Sequence, residues 1–600
     1  MQTGTMFKNL YTAILIFASA GKLFAAGGMG VAVDDFPPAE SGDFTSYKLN
    51  PLTTEWMTKV EAVLPSKYFT NGSPTLQQTT NLLCQESQRG NKAALGLWGI
   101  AVVAYSQSPE ELQTGLDMLT DSAQSGYVSA MVNLAILYDD GAYVPRNYDD
   151  AFYWYTVAAT NGDTFAELEL GACYHYGLGT KPDETMAANL YHLAAEKTNY
   201  VAMKSYGYCL MNGRGVTKDL DAAKYWLTRA AKEGGNRRAM YNLGVLCDLK
   251  FPDTNAMAEA FQWYHQSAEL GDALACNQLA DCYYNGWGVT NLSTSRLRYN
   301  YLYWLVKAAA LGSTDAQYLL GAAYRTGDGM PQNIDDSIVW YRKAAAKNHP
   351  EANYDLALYC LEGRTNLESL KLAGRYMLAA AQEGNKEAQF QCALYYSQGD
   401  ALPQDGDVGK QWMAKAADNG WAKAEFALFY CYYSGTPIAP GCQPYPQDKT
   451  EGLKWLRRAA DHGDLRAQST LAVKLIQGDY MDRDVAEAEK LLRDAAEHGY
   501  VEAQNDLGYA LLHGDINSTD ELEPAMWCQL AESHWNNPKK QMLVEANLRN
   551  ALSRLTPDQQ AEVQQRVNNF HAQAIPEPDP LVKDWNQLPS YQQEDGRFGH

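Results

Sequence analysis

Cysteine and histidine are the residues of this sequence that most readily do chemistry, as nucleophiles, redox centres or metal ligands. The chain has 11 cysteines and 10 histidines in 600 residues. It contains no C-x-x-C pair, no H-E-x-x-H zinc motif, no G-x-S-x-G nucleophile motif and no Walker or EF-hand loop. We therefore expect no metal site and no cofactor, and any role of these residues has to be judged from their positions.

The positions of these residues are periodic. His462 and His498 are 36 residues apart, and each immediately precedes a glycine. Cys173 and Cys209 are also 36 residues apart. Equal spacing indicates equivalent places in a repeated structure. Equivalent positions explain the two histidines better than metal binding does, and at such positions a cysteine acts as a small buried apolar residue. The periodicity therefore favours packing over catalysis.

The 36-residue interval extends along most of the chain. An alanine, usually followed four residues later by leucine, marks each interval, and the spacings from Ala130 onward are 36, 36, 37, 36, 41, 36, 36, 36, 43 and 36. The markers are Ala93, Ala130, Ala166, Ala202, Ala239, Ala275, Ala316, Ala352, Ala388, Ala424, Ala467 and Ala503.

Each repeat has the pattern of two helices. In the first helix, apolar residues at offsets of 0, 4 and 8 from the marker form one stripe, with Gly or Ala beside it at offset 5. A glycine turn such as Gly177-Leu-Gly179 ends this helix. The second helix is predicted to begin at a capping Asn or Asp seven residues before an aromatic or leucine anchor. The predicted caps are Asn147, Asp183, Asp219, Asn333, Asp405 and Asp448.

A single helical hairpin of this kind cannot bury its own apolar stripe, so neighbouring repeats must stack. The pattern A-x-x-x-L-G-x-x-Y-x-x-G-x-G-V, followed by D-x-x-x-A-x-x-W-x-x-x-A-A-x-x-G, resembles the Sel1-like repeat, a relative of the tetratricopeptide repeat; the segment from Ala202 to Gly234 shows it well. The resemblance implies an all-α fold, an α-solenoid of about twelve stacked helix-turn-helix repeats.

A polar column is predicted beside the buried stripe, three residues after each marker. In related tetratricopeptide folds such side chains face the concave surface and hold a partner's backbone, a task that amides and carboxylates both perform. The residues that we predict to bind a partner are Asn133, Glu169, Asn242, Gln278, Asp355 and Asp506. Ordinary solvated or helix-bridging side chains are the alternative interpretation of this column.

A disulfide is one further prediction. Cys431 lies in a first helix, and Cys442 lies in the long insertion that follows it, which makes these two the best candidate pair for a bridge. Cys173, Cys209, Cys282 and Cys431 itself recur seven residues after their markers. At such a recurring position adjacent helices are usually too far apart for easy bridging.

The termini differ from the repeats. Lys8 followed by the apolar run LYTAILIFASA predicts a signal peptide over residues 1–25. We expect an N-terminal extension and cap over 26–90, the solenoid over 91–535, capping helices over 536–574 and a flexible tail over 575–600. Thr556 and Pro557 are predicted to start the last helix.

The formal net charge of −22 disfavours nucleic acid as a partner, because a polyanion is repelled by an acidic chain. No stretch after the apolar run is long enough to span a membrane, so we expect a mature chain without a membrane span. The predicted signal peptide places the mature chain in the periplasm. We also expect the chain to be monomeric when it has no partner bound.

The resemblance implies a non-enzymatic protein-binding role. The most specific hypothesis is a periplasmic immunity protein that neutralises a type VI secretion lipase effector. A signalling or envelope adaptor, or a protein that binds a host factor, remains open as the alternative, and an enzyme or redox protein using its thiols is a third class.

Overall fold

The computed structural model describes residues 54–63, 76–249, 253–290, 292–362, 367–534 and 538–571. Within those ranges all regular secondary structure is helical, and the described residues fall into two compact units divided between Ser293 and Thr294. The first unit contains α1 (Thr54–Val63), α2 (Leu76–Gln88), α3 (Lys92–Tyr105), α4 (Pro109–Gln124), α5 (Val128–Asp140), α6 (Tyr148–Thr160), α7 (Thr164–Tyr176), α8 (Glu184–Glu196), α9 (Tyr200–Asn212), α10 (Leu220–Lys232), α11 (Arg237–Asp248), α12 (Thr254–Glu269) and α13 (Ala273–Asn285).

The second unit contains α14 (Thr294–Ala310), α15 (Thr314–Thr326), α16 (Ile334–Ala345), α17 (Pro350–Glu362), α18 (Leu367–Gln382), α19 (Lys386–Gln398), α20 (Gly406–Asp418), α21 (Ala422–Ser434), α22 (Lys449–Asp461), α23 (Leu465–Gln477), α24 (Val485–Glu497), α25 (Val501–His513), α26 (Glu523–His534), α27 (Pro538–Leu552) and α28 (Pro557–Asn568). Within each unit consecutive helices pack in pairs, and first helices of successive repeats also touch, as α9 touches α11 and α23 touches α25. The predicted all-α solenoid is confirmed.

Local capping sets the ends of these helices. All six predicted Asn and Asp caps accept a hydrogen bond from the backbone at the start of a second helix. Gly177 ends α7 in the left-handed conformation, with φ of 71°. Thr198 and Asn348 stand where most repeats close with glycine, and both adopt the left-handed conformation that glycine takes there, with φ of 69° and 62°.

The repeat markers form the centre of the core. Every marker alanine from Ala130 to Ala503 is fully buried. The first marker is one residue later than the sequence spacing indicated: Ala94, not Ala93, is buried, and the Asn91 side chain accepts from the Ala94 backbone N–H at 3.1 Å. The cap fixes this register, because in most of the other first helices the capping side chain also accepts from the N–H of the marker.

In the second helix the residue after each anchor is a large buried side chain, while most anchors are only half-buried. The small residue of the first helix makes room for it. A Cβ added at Gly171 would lie 2.7 Å from a ring carbon of Tyr191, and one added at Gly321 would lie 2.7 Å from a ring carbon of Tyr341. The residues buried in this way are Tyr155, Tyr191, Leu227, Tyr264, Leu305, Tyr341, Met377, Met413, Leu456 and Leu492.

In the repeat where Phe429 replaces the small residue, a glycine of the second helix allows the two helices to approach closely. Its second helix carries Gly452, where an added Cβ would lie 3.1 Å from the carbonyl oxygen of Phe429. The glycine has moved from the first helix to the second, so the two helices still pack closely.

A buried glutamine bonds successive helices in several repeats. It directly follows the marker, and its side-chain amide donates to a backbone carbonyl eight residues earlier, near the end of the preceding helix. The pairs, each at 3.1 Å, are Gln317 with Ala309, Gln389 with Ala381, and Gln504 with Ala496. The bond satisfies carbonyls that the end of a helix would otherwise leave without a partner.

Two repeats have glutamate at this position, which cannot donate. Glu167 is 2 % exposed and pairs at 2.6 Å with Lys197, which caps the end of the second helix of the same repeat. Glu425 is fully buried, and Arg458, in the second helix of the same repeat, contacts its carboxylate at 3.0 Å. Arg458 also donates to the Ala417 carbonyl at 2.8 Å, the carbonyl that a glutamine would have bonded. A basic side chain from the second helix of the same repeat therefore replaces the missing donor.

The flanks contain helices where the sequence predicted caps. Helices α1 and α2 lie within 26–90, and α27 and α28 lie within 536–574. Thr556 caps α28 with a reciprocal bond to Gln559, and Pro557 is its first residue, as predicted. The predicted signal peptide at 1–25 and tail at 575–600 lie outside the described residues, and the proposed domain boundaries stay predictions.

Candidate functional site

The predicted partner-binding column lies on the first helices, and most of it is less accessible than expected. Glu169, Asn242 and Asp355 are buried. Asn133, Gln278 and Asp506 are half-buried. Helical periodicity places all six on one face, but that face is covered by side chains of neighbouring helices. Their role in binding stays a prediction.

Glu169 lies in a buried polar cluster that joins three first helices. The Tyr155 hydroxyl donates to Asp139 at 3.4 Å. Burial, reinforced by the Asp139 carboxylate, raises the pKa of Glu169 to about 8, although Lys204 acts in the opposite direction. Burial also raises the pKa of Asp139. The cluster can therefore hold a proton at neutral pH, which is unusual for a glutamate.

Other members of the column also have internal partners. Asn133 donates to the Ser129 carbonyl of its own helix at 2.6 Å. Asp506 accepts from the Ser469 hydroxyl of the previous repeat at 3.0 Å. These bonds match the alternative interpretation, in which column residues bridge helices, and they leave the half-buried Gln278 among the more accessible members.

Anchor tryptophans of the second helices carry a cation three residues later. The side-chain cation lies over the indole in five repeats, at 3.6 to 5.6 Å from the ring centre, which shields a half-buried ring from water. The pairs are Trp226 with Arg229, Trp304 with Lys307, Trp340 with Lys343, Trp412 with Lys415 and Trp455 with Arg458. The W-x-x-K/R spacing was visible in the sequence.

Eight of the eleven cysteines are buried thiols; Cys84, Cys360 and Cys442 are half-buried. Burial raises the pKa of six of them to about 12: Cys173, Cys209, Cys282, Cys392, Cys431 and Cys528. A thiol with so high a pKa is almost entirely protonated at neutral pH and is a poor nucleophile.

The predicted bridge between Cys431 and Cys442 is not formed in the structure, where both are free thiols. The insertion folds towards α20 instead. The Cys442 thiol lies 3.5 Å from the Ser397 carbonyl and packs against Gly406, at which an added Cβ would be 3.0 Å from the sulfur. Sequence proximity suggested a pair, but the path of the loop carries Cys442 onto a different helix.

The two equivalent histidines have separate surroundings. His462 Nδ1 lies 2.7 Å from Glu425, and His498 Nδ1 lies 2.7 Å from the Asp494 carbonyl of its own helix. Among the described residues, no group of three or more His, Cys, Asp or Glu side chains is placed to hold a metal ion. Across those same ranges, no helix combines the length and apolar character that crossing a bilayer requires.

The family comparison agrees with the periodicity. The Sel1 repeat model matches twelve segments between residues 128 and 523. The segments are 128–163, 164–199, 201–235, 237–272, 273–293, 302–313, 314–349, 350–385, 386–421, 422–464, 466–500 and 501–523. Repeats of this family mediate protein–protein interaction.

Individual relatives match over part of their length. Chitin synthase regulatory factor 3 of Schizosaccharomyces pombe is 29 % identical over 32 % of this chain and 21 % of its own length. Chitin synthase regulator SKT5 of Saccharomyces cerevisiae is 27 % identical over 43 % of this chain and 37 % of its own. The chain therefore spans about a fifth to two fifths of these relatives.

A solved structure is similar over most of the chain. A protective antigen of uropathogenic Escherichia coli with an SLR fold is 25 % identical, covers 84 % of this chain and 99 % of its own, and superposes with a TM-score of 0.46. The twelve matched segments occupy more than half of the 600 residues. The chain belongs to the Sel1 repeat family.

Proposed function

We propose that this chain is an exported, non-enzymatic scaffold that binds and restrains an enzyme, and specifically a periplasmic immunity protein that neutralises a type VI secretion lipase effector. The observation that carries the proposal is the series of twelve Sel1 repeats between residues 128 and 523. The buried thiols, whose pKa values reach about 12, offer no ready nucleophile for the rival redox hypothesis.

The names of the fungal relatives support an enzyme as the partner. Two of them are described as regulators of chitin synthase, so proteins built from these repeats act on enzymes. The apolar run after Lys8 supports export. An immunity protein combines both properties, because it meets its target enzyme in the periplasm and blocks it by binding.

The mode of inhibition that we propose is occlusion. A repeat scaffold offers a long surface of fixed helices, which can cover an active-site mouth without contributing chemistry. Gln278, which is half-buried on a first helix, is the column residue that we expect to reach a partner. Its alanine variant should weaken the complex and leave the fold intact.

The test is purification of the tagged chain from the native cell envelope, followed by identification of stoichiometric partners. A lipase whose activity the purified chain inhibits at equimolar concentration would support the proposal. A sensor kinase or a host glycoprotein in the complex would overturn it in favour of the adaptor hypothesis. Cell fractionation checks the location separately, since recovery in the cytoplasm contradicts export.

A further inference from the structure

One face of α14 is apolar and open to solvent. Tyr299, Tyr303, Val306 and Ala310 follow one another at steps of four, three and four residues, so they lie along a single side of the helix. Tyr299 is 60 % exposed, Tyr303 is 51 % exposed and Val306 is 44 % exposed. A groove of about 430 Å³ runs along this side.

The same face is mostly polar or charged in two comparable second helices. Counted from the anchor tryptophan, the equivalents in α20 are Asp407, Gln411, Ala414 and Asp418. The equivalents in α22 are Thr450, Lys454, Arg457 and Asp461. Tyr299 stands where four other repeats have an aspartate: Asp149, Asp221, Asp335 and Asp407. Packing of the repeat does not require this apolar face.

The charge of α14 is also unlike that of the chain. Its 17 residues include Arg296, Arg298 and Lys307 but no Asp or Glu, while the whole chain has a net charge of −22. The Arg296 guanidinium lies 5.2 Å from the Tyr299 ring centre, and Lys307 borders the groove beside Val306. Cations therefore stand at both ends of the apolar row.

We propose that the α14 face, formed by Tyr299, Tyr303, Val306 and Ala310, docks an amphipathic helix of a partner protein whose apolar row is flanked by carboxylates. This inference rests on the proposed protein-binding function and names the chemistry of the partner. An apolar row at helical spacing packs into the groove, and its carboxylates meet Arg296 and Lys307. The acidic remainder of the chain repels such a helix, so the charge directs it to this face.

The experiment uses the full chain and two fluorescein-labelled helical peptides of about 18 residues, five turns. Both carry one leucine row; glutamates flank it in the first peptide and lysines in the second. The double variant Tyr299→Ser/Tyr303→Ser should weaken binding of the glutamate peptide by about tenfold or more, because exposed tyrosines that become buried dominate such contacts. Added salt should weaken it further.

Tyr225→Ser is the matched control. Tyr225 is 56 % exposed and precedes Trp226 as Tyr303 precedes Trp304, but its helix also carries Asp221. The control should bind the glutamate peptide as the unaltered chain does. The lysine peptide can bind the acidic chain elsewhere, so the double variant should leave its affinity unchanged.

The proposal is overturned if the double variant binds the glutamate peptide normally, or if it loses both peptides equally. A dimer of the unaltered chain that the double substitution abolishes in sedimentation would assign the face to a second copy and also overturn it. If a native enzyme partner still binds the double variant with full affinity, the protein-binding function stands while this inference fails. Unchanged thermal unfolding shows that the variant is folded.

Discussion

At the scale of single residues, Glu169 makes the stability of the chain depend on pH. Its pKa in the folded state is about 8, whereas an unfolded glutamate has a pKa of about 4.3. Between those values the folded chain holds a proton that the unfolded chain has released, so stability falls as pH rises through this window. The side chain of the variant Glu169→Gln never ionises. The free energy of unfolding of this variant, relative to that of the unaltered chain, should therefore rise by more than about 2 kcal/mol between pH 5 and pH 9.

Urea unfolding at a series of pH values measures this gain. The control is Glu383→Gln, which changes an exposed carboxylate. The free energies of unfolding of this variant and of the unaltered chain should differ by the same amount at every pH in this range. A constant difference for Glu169→Gln would mean that the carboxyl is ionised in the folded state and that the cluster is arranged differently.

Thr198 is a second residue whose own conformation affects stability, here through backbone strain. It holds φ of 69°, a conformation that is strained for a β-branched side chain and free of strain for glycine. Thr198→Gly should raise the free energy of unfolding by about 1 kcal/mol. Asn348→Gly should raise the free energy of unfolding by less, because asparagine tolerates the left-handed conformation better than threonine does. Thermal unfolding of the two variants compares them, and a loss of stability in Thr198→Gly would contradict the account.

At the scale of helices, the partner of the side chain that follows the marker depends on whether that side chain is glutamine or glutamate. Lys197→Met leaves the Glu167 carboxylate buried without its partner and should cost about 2 kcal/mol. Adding Glu167→Gln should restore most of that stability, because glutamine at the equivalent position donates to a carbonyl in three other repeats. Denaturant unfolding of the single and double variants decides the matter; absence of rescue would show that the glutamine bond cannot form in this repeat.

The contact between the small residue and the buried tyrosine gives another prediction. Gly171→Ala places a methyl group 2.7 Å from the Tyr191 ring and should cost about 1–3 kcal/mol. Ala135→Gly, at the equivalent position of the preceding repeat, removes a methyl group and should cost no more than about 1 kcal/mol. Equal effects in thermal unfolding would mean that the helices separate easily.

Helix ends were predictable, and the burial of polar side chains was not. The caps at Asn147 and Asp448 follow from residue type and spacing alone, because capping is a local interaction. The burial of Glu169 depends on which neighbouring helix covers it, and periodicity gives the face of a helix without giving its neighbours. The bonding glutamines had a usable signal, since Gln317 and Gln389 lie 72 residues, two repeats, apart.

At the scale of the whole molecule, each repeat contacts mainly its neighbours, so damage should stay local. Lys197→Met should accelerate amide hydrogen exchange in α7, α8 and α9 and leave α20 to α25 unchanged. Exchange measured by mass spectrometry over peptides from both units tests this. Faster exchange throughout the second unit would instead indicate that the whole chain unfolds as one cooperative body.

The replacement of glutamine by glutamate has a consequence for how the gene can change length. Glu167 and Lys197 belong to the two helices of one repeat, and so do Glu425 and Arg458. Gain or loss of a whole repeat therefore keeps each buried anion with its counterion. Recombination with a breakpoint between the two helices would strand the anion, so breakpoints that involve these repeats should fall at the boundaries between repeats.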